Sequence, residues 1–335
     1  MSIESPRTAL SRQPDLEHGP RAVRSFIDGV HRLLAVSPFD RLLSRVNGAL
    51  PPSIQEHARR VVAQPHSYPV SVTRRARREG LDLELSPHDY FQWHQFYRFG
   101  DEVLVTLRAA AAGASAVIDV GANIGFYGLL VARAIAPAGR VYCCEPNPST
   151  AEKLRRHRDE NRITNVEIIE AAVGATSGHI TLYDHGDGEP GKFSARAPSG
   201  GRSVEVRLVT LDALVLERAI GRVQLVKADV EGLEPDVILG AKALIGRDRP
   251  MLCLEITPRW LAQRPAETAE AFTFLAAQEY RYFHILPAPA KPGSLRAIDI
   301  GPLVDPSTGA RIAGGTNVIA VAKGGPLPAG LFLVG

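Results

Sequence analysis

Beyond residue 110 the chain alternates short β-branched, apolar runs with segments whose apolar positions recur at helical spacing. That alternation predicts βαβ units around a parallel sheet. The predicted strands are Ala116–Val120, Arg140–Cys144, Val166–Glu170, Val223–Asp229, Met251–Ile256, Tyr282–Leu286 and Asn317–Ala322. Helices are expected at 124–135, 148–160, 234–245 and 267–278. A further strand pair, Gly178–Tyr183 and Ser203–Val209, flanks a loop rich in Gly, Pro and Ser from Asp184 to Gly201. Ahead of this body the pattern changes. Residues 1–20 carry scattered charges and few large apolar groups, and are expected to be a disordered lead. From Ala22 to about Leu50, Val23, Phe26, Ile27, Val30, Leu33 and Leu34 fall at helical spacing, and Leu42, Leu43 and Val46 continue after Ser37-Pro38. This predicts two short amphipathic helices that stop at Pro51-Pro52. The commonest outcome for such helices is to cover their own domain; a second subunit and a membrane surface are the alternatives. The expected organisation is an N-terminal helical appendage over 1–80 and an α/β domain over 81–335.

Composition narrows the class. Hydrophobic residues at 45% and charged residues at 22% suit a globular enzyme. The longest apolar stretch, Val117 to Gly139, is broken by Asp119, Asn123 and Arg133, so no transmembrane segment is predicted. The first 30 residues lack the apolar core of a secretory signal. Three cysteines, two of them adjacent, make no disulfide framework, and a cytoplasmic location is expected. Residues 1–80 hold 13 arginines, no lysine and 7 acids, a net +6 within a chain of +3 overall. The run Arg74-Arg75-Ala76-Arg77-Arg78 is expected to be a solvated basic face. Aromatics at 6% offer little for stacking bases, so no nucleic-acid partner is predicted.

The strongest local signal is Val117 through Tyr127, an apolar strand ending in Asp119, then a tight turn and an apolar helix. Gly121 and Gly125 permit close backbone approach to a ligand, and Asn123 tolerates positive φ. A dinucleotide fingerprint needs glycines at relative positions 1, 3 and 6, but Asn123 and Phe126 occupy the last two. An acid followed by small or turn-forming residues at alternate positions instead suits an amino-acid-bearing nucleoside, with Asp119 near its ammonium. Glu145 stands 20 residues beyond Gly125, at the end of the next strand. Its carboxylate can accept hydrogen bonds from both hydroxyls of a ribose.

These residues give the chain a resemblance to the FkbM family of methyltransferases, running from about Leu81 to Ala322. It is carried by Gly100-Asp101-Glu102, Asp119 through Gly125, Glu145-Pro146-Asn147, Ala172-Val173-Gly174 and Val209-Thr210-Leu211-Asp212. Lys227-Ala228-Asp229-Val230-Glu231-Gly232-Leu233-Glu234 is the most distinctive segment, and Pro250 through Ile256 follows. The resemblance implies a Rossmann-like, seven-stranded class I methyltransferase sheet and S-adenosylmethionine as cofactor. It implies cofactor contacts from Asp119, Gly121, Ala122, Asn123, Gly125 and Phe126, and from Glu145, Pro146 and Ala172.

Methyl transfer is an in-line displacement, so the enzyme chiefly aligns acceptor and donor. A hydroxyl acceptor gains from a positioned base. Asp229 at a strand end and Glu231 two residues on are the candidates, each also open to a capping role. Lys227 alternates to the same side as Asp229. His94 ranks first among histidines. Asp229 and Glu255 lack a third metal ligand, and no metal is predicted. Nucleic-acid N-methyltransferases of this fold carry Asp/Asn-Pro-Pro-Tyr/Phe where this chain has Asp229-Val230-Glu231-Gly232. The expected function is O-methylation of a sugar, glycan or secondary metabolite, with homo-oligomerisation through the N-terminal helices as a further expectation. An NAD-linked oxidoreductase and a non-catalytic binding protein are the alternatives.

Overall fold

The computed structural model describes residues 29–35, 39–59, 61–184, 203–286, 293–298 and 316–334, with Lys291 and the fragments 3–4, 193–194 and 312–313. Most of the expected disordered lead, Val23 through Ile27, and His185 in the middle loop lie outside the described residues. The chain divides into two compact units: Ala9–Asp101 with Tyr183–Arg202, and Met1–Thr8 with Glu102–Leu182 and Ser203–Gly335. No described helix is long and apolar enough to cross a membrane.

The N-terminal unit contains α1 (29–35), α2 (Phe39–Ala49), α3 (Pro52–Ala58), a hairpin of β1 (Arg74–Arg78) and β2 (Leu81–Leu85), and α4 (Tyr90–Phe96). Glu79 and Gly80 both adopt positive φ and form the tight hairpin turn. Leu81, Leu83 and Leu85 alternate inward along β2. Trp93, Tyr97 and Phe99 form an aromatic cluster. Trp93 donates its indole N–H to the Ala63 carbonyl at 2.7 Å, and the Tyr68 and Tyr97 hydroxyls meet at 2.7 Å. These contacts bind residues 81–101 to the segment before them. The unit therefore ends between Asp101 and Glu102, where the sequence suggested a division at residue 81.

Two expectations change here. The basic run is only half solvated, because Arg74 pairs with buried Asp40 at 2.7 Å and Arg78 donates to the Phe99 carbonyl. Arg75 and Arg77 stand opposite Glu84 and Asp82 across the hairpin. Helix α2 covers its unit with the face opposite to the one expected. Asp40, Ser44 and Asn47, at i, i+4 and i+7, are buried, and Ser44 and Asn47 donate to the Phe96 and Tyr97 carbonyls. Leu42 and Val46 point outward.

The second unit is built on one sheet. Helix α5 (Glu102–Ala111) leads to β3 (Ala116–Val120), α6 (Phe126–Val131), β4 (Arg140–Cys144), α7 (Pro148–Glu160) and β5 (Val166–Ile169). Strands β6 (Ala172–Val173), β7 (Gly178–Asp184) and β8 (Ser203–Val209) belong to a separate sheet. Then come α8 (Leu211–Glu217), β9 (Leu225–Ala228), α9 (Glu234–Leu239), α10 (Lys242–Asp248) and β10 (Met251–Ile256). Helix α11 (Pro265–Ala277), β11 (Tyr280–Ile285), β12 (Ser294–Ile298), β13 (Thr316–Ala322) and β14 (Phe332–Leu333) complete it.

The main sheet has nine strands in the order β14-β12-β11-β13-β10-β9-β3-β4-β5. All seven expected strands lie in it, so the α/β class holds and the strand count is corrected from seven to nine. The additional strands, β12 and β14, are short and carry no clean alternation of their own. Strands β3, β4, β5, β9 and β10 are parallel, and β13 runs antiparallel between β10 and β11. The expected helix 234–245 is split at Gly240, where an ideal Cβ would lie 2.0 Å from the Gly174 carbonyl oxygen. Helix α10 restarts because the Asp212 carboxylate accepts from the Ala243 and Leu244 N–H groups at 2.9 and 2.8 Å. Thr210 likewise caps α8. The Val209–Asp212 segment is thus a capping device.

Topology places the site. From β3 the chain runs outward through β4 to the edge strand β5, then returns to β9 on the other side of β3. Strand order reverses beside β3, and in open α/β sheets the ligand crevice lies at such a switch point, here outside the carboxyl ends of β3, β4 and β9.

Candidate active site

The turn after β3 is stitched to both neighbouring strands. Gly121 and Ala122 N–H groups both donate to the Cys144 carbonyl at 3.0 Å, and Asp229 N–H donates to the Val120 carbonyl at 3.2 Å. Gly121, Asn123 and Gly125 all have positive φ, as their residue types suggested. The atoms that crowd the two glycines belong to the protein. An ideal Cβ on Gly121 would lie 2.1 Å from the Asp229 carbonyl oxygen, and one on Gly125 would lie 2.0 Å from a Leu154 methyl. Packing of the loop on β9 and α7 therefore demands glycine before any ligand is considered. Phe126 is only 1% exposed, so its side chain is committed to the core. Ala122 is also buried.

Glu145 directly follows β4 and is 7% exposed. One oxygen accepts from Asn123 N–H at 2.9 Å and the other from Asn147 N–H at 2.9 Å. Each oxygen keeps capacity for a second donor. Asn147 caps α7 by accepting from Ser149 and Thr150, which fixes the Glu145-Pro146-Asn147 corner. Burial pushes the Glu145 carboxyl up to about 7, against the two backbone N–H bonds that pull it down.

On the same strands a charged row crosses the sheet. Register pairs Cys143 with Asp119, Asp119 with Lys227, and Lys227 with Cys253. The Lys227 ammonium lies 3.2 Å from Asp119 and 3.8 Å from Asp229, and 5.2 Å from the centre of the Tyr127 ring. Burial works against the lysine charge, but the two aspartates outweigh it and hold the ammonium above its ordinary range. Neither Asp119 oxygen accepts an aligned hydrogen bond among the described residues, so the attraction is chiefly coulombic. Asp119 is 2% exposed and already faces a cation. Lys227 is thus a partner within the fold for the residue expected beside a cofactor ammonium. Lys227 was missed as a site residue, although a lysine inside the wholly buried run Leu225–Ala228 must have a charged partner.

Asp229 follows β9 with its side chain 23% exposed, so it belongs both to the buried pair and to the crevice. Glu231 and Gly232 both take positive φ, 54° and 96°. Glu234 holds this turn from within: its Oε1 accepts from Val230 N–H at 2.9 Å and Gly232 N–H at 3.3 Å. Glu234 is 1% exposed, and burial pushes it up to about 7 as well. In the sequence it stood out only as the last residue of the Lys227–Glu234 segment. Glu231 is a non-glycine residue in a left-handed turn beside the crevice, a conformation that costs of order 1 kcal/mol.

The remaining candidates have surroundings of their own. His94 belongs to the N-terminal unit, where Arg59 donates to its Nε2 at 3.0 Å and Phe99 packs on its ring. Ala172 lies in β6 of the small sheet, paired with Leu208. Glu255 is buried near the end of β10, opposite Asn317. Among the described residues no three His, Cys, Asp or Glu side chains gather as a metal site.

Glu145 and Glu234 set an expected pH dependence. Both fold with carboxyls near 7, above the unfolded range, so both take up a proton on folding at mildly acidic pH. Their stabilising contribution is present below the unfolded value and is lost as pH rises through about 7. Thermal melts of ligand-free protein between about pH 5 and pH 8 should show a falling component, flattened by Glu234→Gln. An identical slope in the variant contradicts the assignment.

Comparison with known proteins now adds identity. Residues 119–282 match the methyltransferase FkbM domain. The chain is 27% identical over 150 residues to 2-O-methyltransferase NoeI of Sinorhizobium fredii, covering 40% of this chain and 60% of that protein. It is 28% identical to 31-O-demethyl-FK506 methyltransferase FkbM of Streptomyces tacrolimicus, covering 38% and 59%. It is 28% identical to hexuronic acid methyltransferase AglP of Haloferax volcanii, covering 36% and 48%. The chain thus spans about half to three fifths of the length of these relatives. The matched segment begins at Asp119 and contains the β3 loop, Glu145 and the Lys227–Glu234 turn. Residues 119–282 of the chain thus form a methyltransferase FkbM domain.

Proposed function

We propose that the protein methylates a hydroxyl group of a sugar, glycan or secondary metabolite. The observation that carries the proposal is the pair of carboxylates, Glu145 and Asp229, on either side of the 121–125 turn at the switch point. Bound S-adenosylmethionine supplies a methyl group on a sulfonium centre. Glu145, held by Asn123 and Asn147, presents free acceptor capacity to the ribose hydroxyls. Asp229, partly exposed and oriented by Lys227, holds the acceptor hydroxyl or takes its proton, with Glu231 on the adjacent turn as the second candidate. Asp119 balances Lys227 and so fixes the charge beneath the site. The acceptor class draws support from the relatives, whose names specify a 2-O position, a 31-O position and a hexuronic acid.

The test is transfer of a labelled methyl group from S-adenosylmethionine to a panel of hydroxylated sugars and metabolites, with the product located by NMR. The expected product is a methyl ether formed together with the demethylated cofactor. A methyl group found on nitrogen or carbon defeats the proposal.

A further inference from the structure

The outward side of the N-terminal helices finds no use in the methyl-transfer chemistry. Eight of the eleven exposed large apolar side chains among the described residues fall between Val30 and Val70. Leu33 is 71% exposed, Leu42 55%, Val46 49% and Ile54 49%. On α2 this exposure follows from the inversion described above. Hydrogen bonds and an ion pair hold Asp40, Ser44 and Asn47 inward, so Leu42 and Val46, one turn apart, are fixed facing out. Helix α3 is tied to the end of α2 by Gln55, which donates to the Asn47 and Leu50 carbonyls at 3.0 Å. A packing accident on a mobile surface would not need this buried polar scaffold behind it.

We propose that this face docks on an anionic phospholipid surface. Charge selects that occupant. Between residues 29 and 50 the only acid is Asp40, which is buried against Arg74, whereas Arg32, Arg41 and Arg45 are exposed. None of these three arginines forms an ion pair among the described residues. Arg41 and Arg45 each precede an outward apolar residue by one position, about 100° around the helix. Long basic side chains there reach the headgroup level while Leu42 and Val46 enter the acyl boundary, the arrangement of an interfacial amphipathic helix. Self-association through this face would instead bring together two segments that each carry a net +6 over residues 1–80. The surface would hold the methyltransferase at a membrane without a spanning helix.

The test is flotation of the full chain with phosphatidylcholine vesicles, with and without phosphatidylglycerol, at low and high salt. Recovery is expected with the anionic vesicles, falling as salt rises. The Leu42→Ser/Val46→Ser double variant should lower recovery about ten-fold or more. Arg41→Gln/Arg45→Gln should lower it and weaken the salt dependence. All four side chains point outward, so melting temperatures should stay unchanged and loss of binding reads the surface alone. Absence of flotation with anionic vesicles overturns the proposal, as does flotation that the double apolar variant leaves intact. A concentration-dependent dimer that Leu42→Ser/Val46→Ser abolishes, without vesicle binding, also overturns it and assigns the face to a second copy.

Discussion

Asp229→Asn is expected to lower methyl transfer about 10²–10⁴-fold while leaving cofactor affinity within a few-fold. The amide keeps the shape of the side chain and removes the charge. The substitution acts at a side chain that is 23% exposed, so the fold should tolerate it. Its backbone N–H bond to Val120 and its carbonyl contact with Gly121 are unaffected. Glu231→Gln is the companion variant, because Glu231 is strained at φ 54° beside the same crevice. A joint loss of binding and rate in Asp229→Asn would move that residue to the cofactor. Near-normal turnover in both variants would contradict the assignment and make His94 the next residue to test.

The largest expected effect on stability belongs to Lys227→Met. The substitution nearly conserves volume but leaves Asp119, 2% exposed, without the cation 3.2 Å away. An uncompensated buried charge of this kind costs about 3–5 kcal/mol. Adding Asp119→Asn should restore most of the loss, since both charges are then gone. Urea denaturation of the two single variants and the double variant measures the coupling. A loss below about 1 kcal/mol in Lys227→Met, or losses that simply add in the double variant, would show that the pair is not a unit.

The parts of the fold legible in sequence were those whose burial demands a regular period. Strands such as Val117–Val120 and Leu252–Ile256 lie in the interior of the sheet and read as apolar runs broken only by Asp119 and Glu255. Asn123 and the two glycines revealed the turn because positive φ restricts residue choice. The reason for the glycines was not legible. Their neighbours are Asp229 and Leu154, brought there by tertiary packing across more than twenty residues of sequence. Helix α2 misled for a related reason. Its stripe correctly announced a helix, but periodicity cannot say which face the rest of the unit will satisfy, and Arg74 and two backbone carbonyls chose the polar one. The roles of Lys227 and Glu234 depended on register and on a turn, so the motif that contains them identified the segment before it identified what each residue does.

The central claim is that the loop at 121–125 and Glu145 bind S-adenosylmethionine, and calorimetric titration of wild type against Glu145→Ala tests it most directly. Wild type should bind the cofactor in the micromolar range, with no comparable heat from NAD. The substitution removes a charged acceptor whose hydrogen bonds are worth about 1.5–3 kcal/mol each. Affinity should therefore fall by roughly one to three orders of magnitude with the melting transition still cooperative. Wild-type affinity in Glu145→Ala, or preferential binding of NAD by the native protein, would contradict the account.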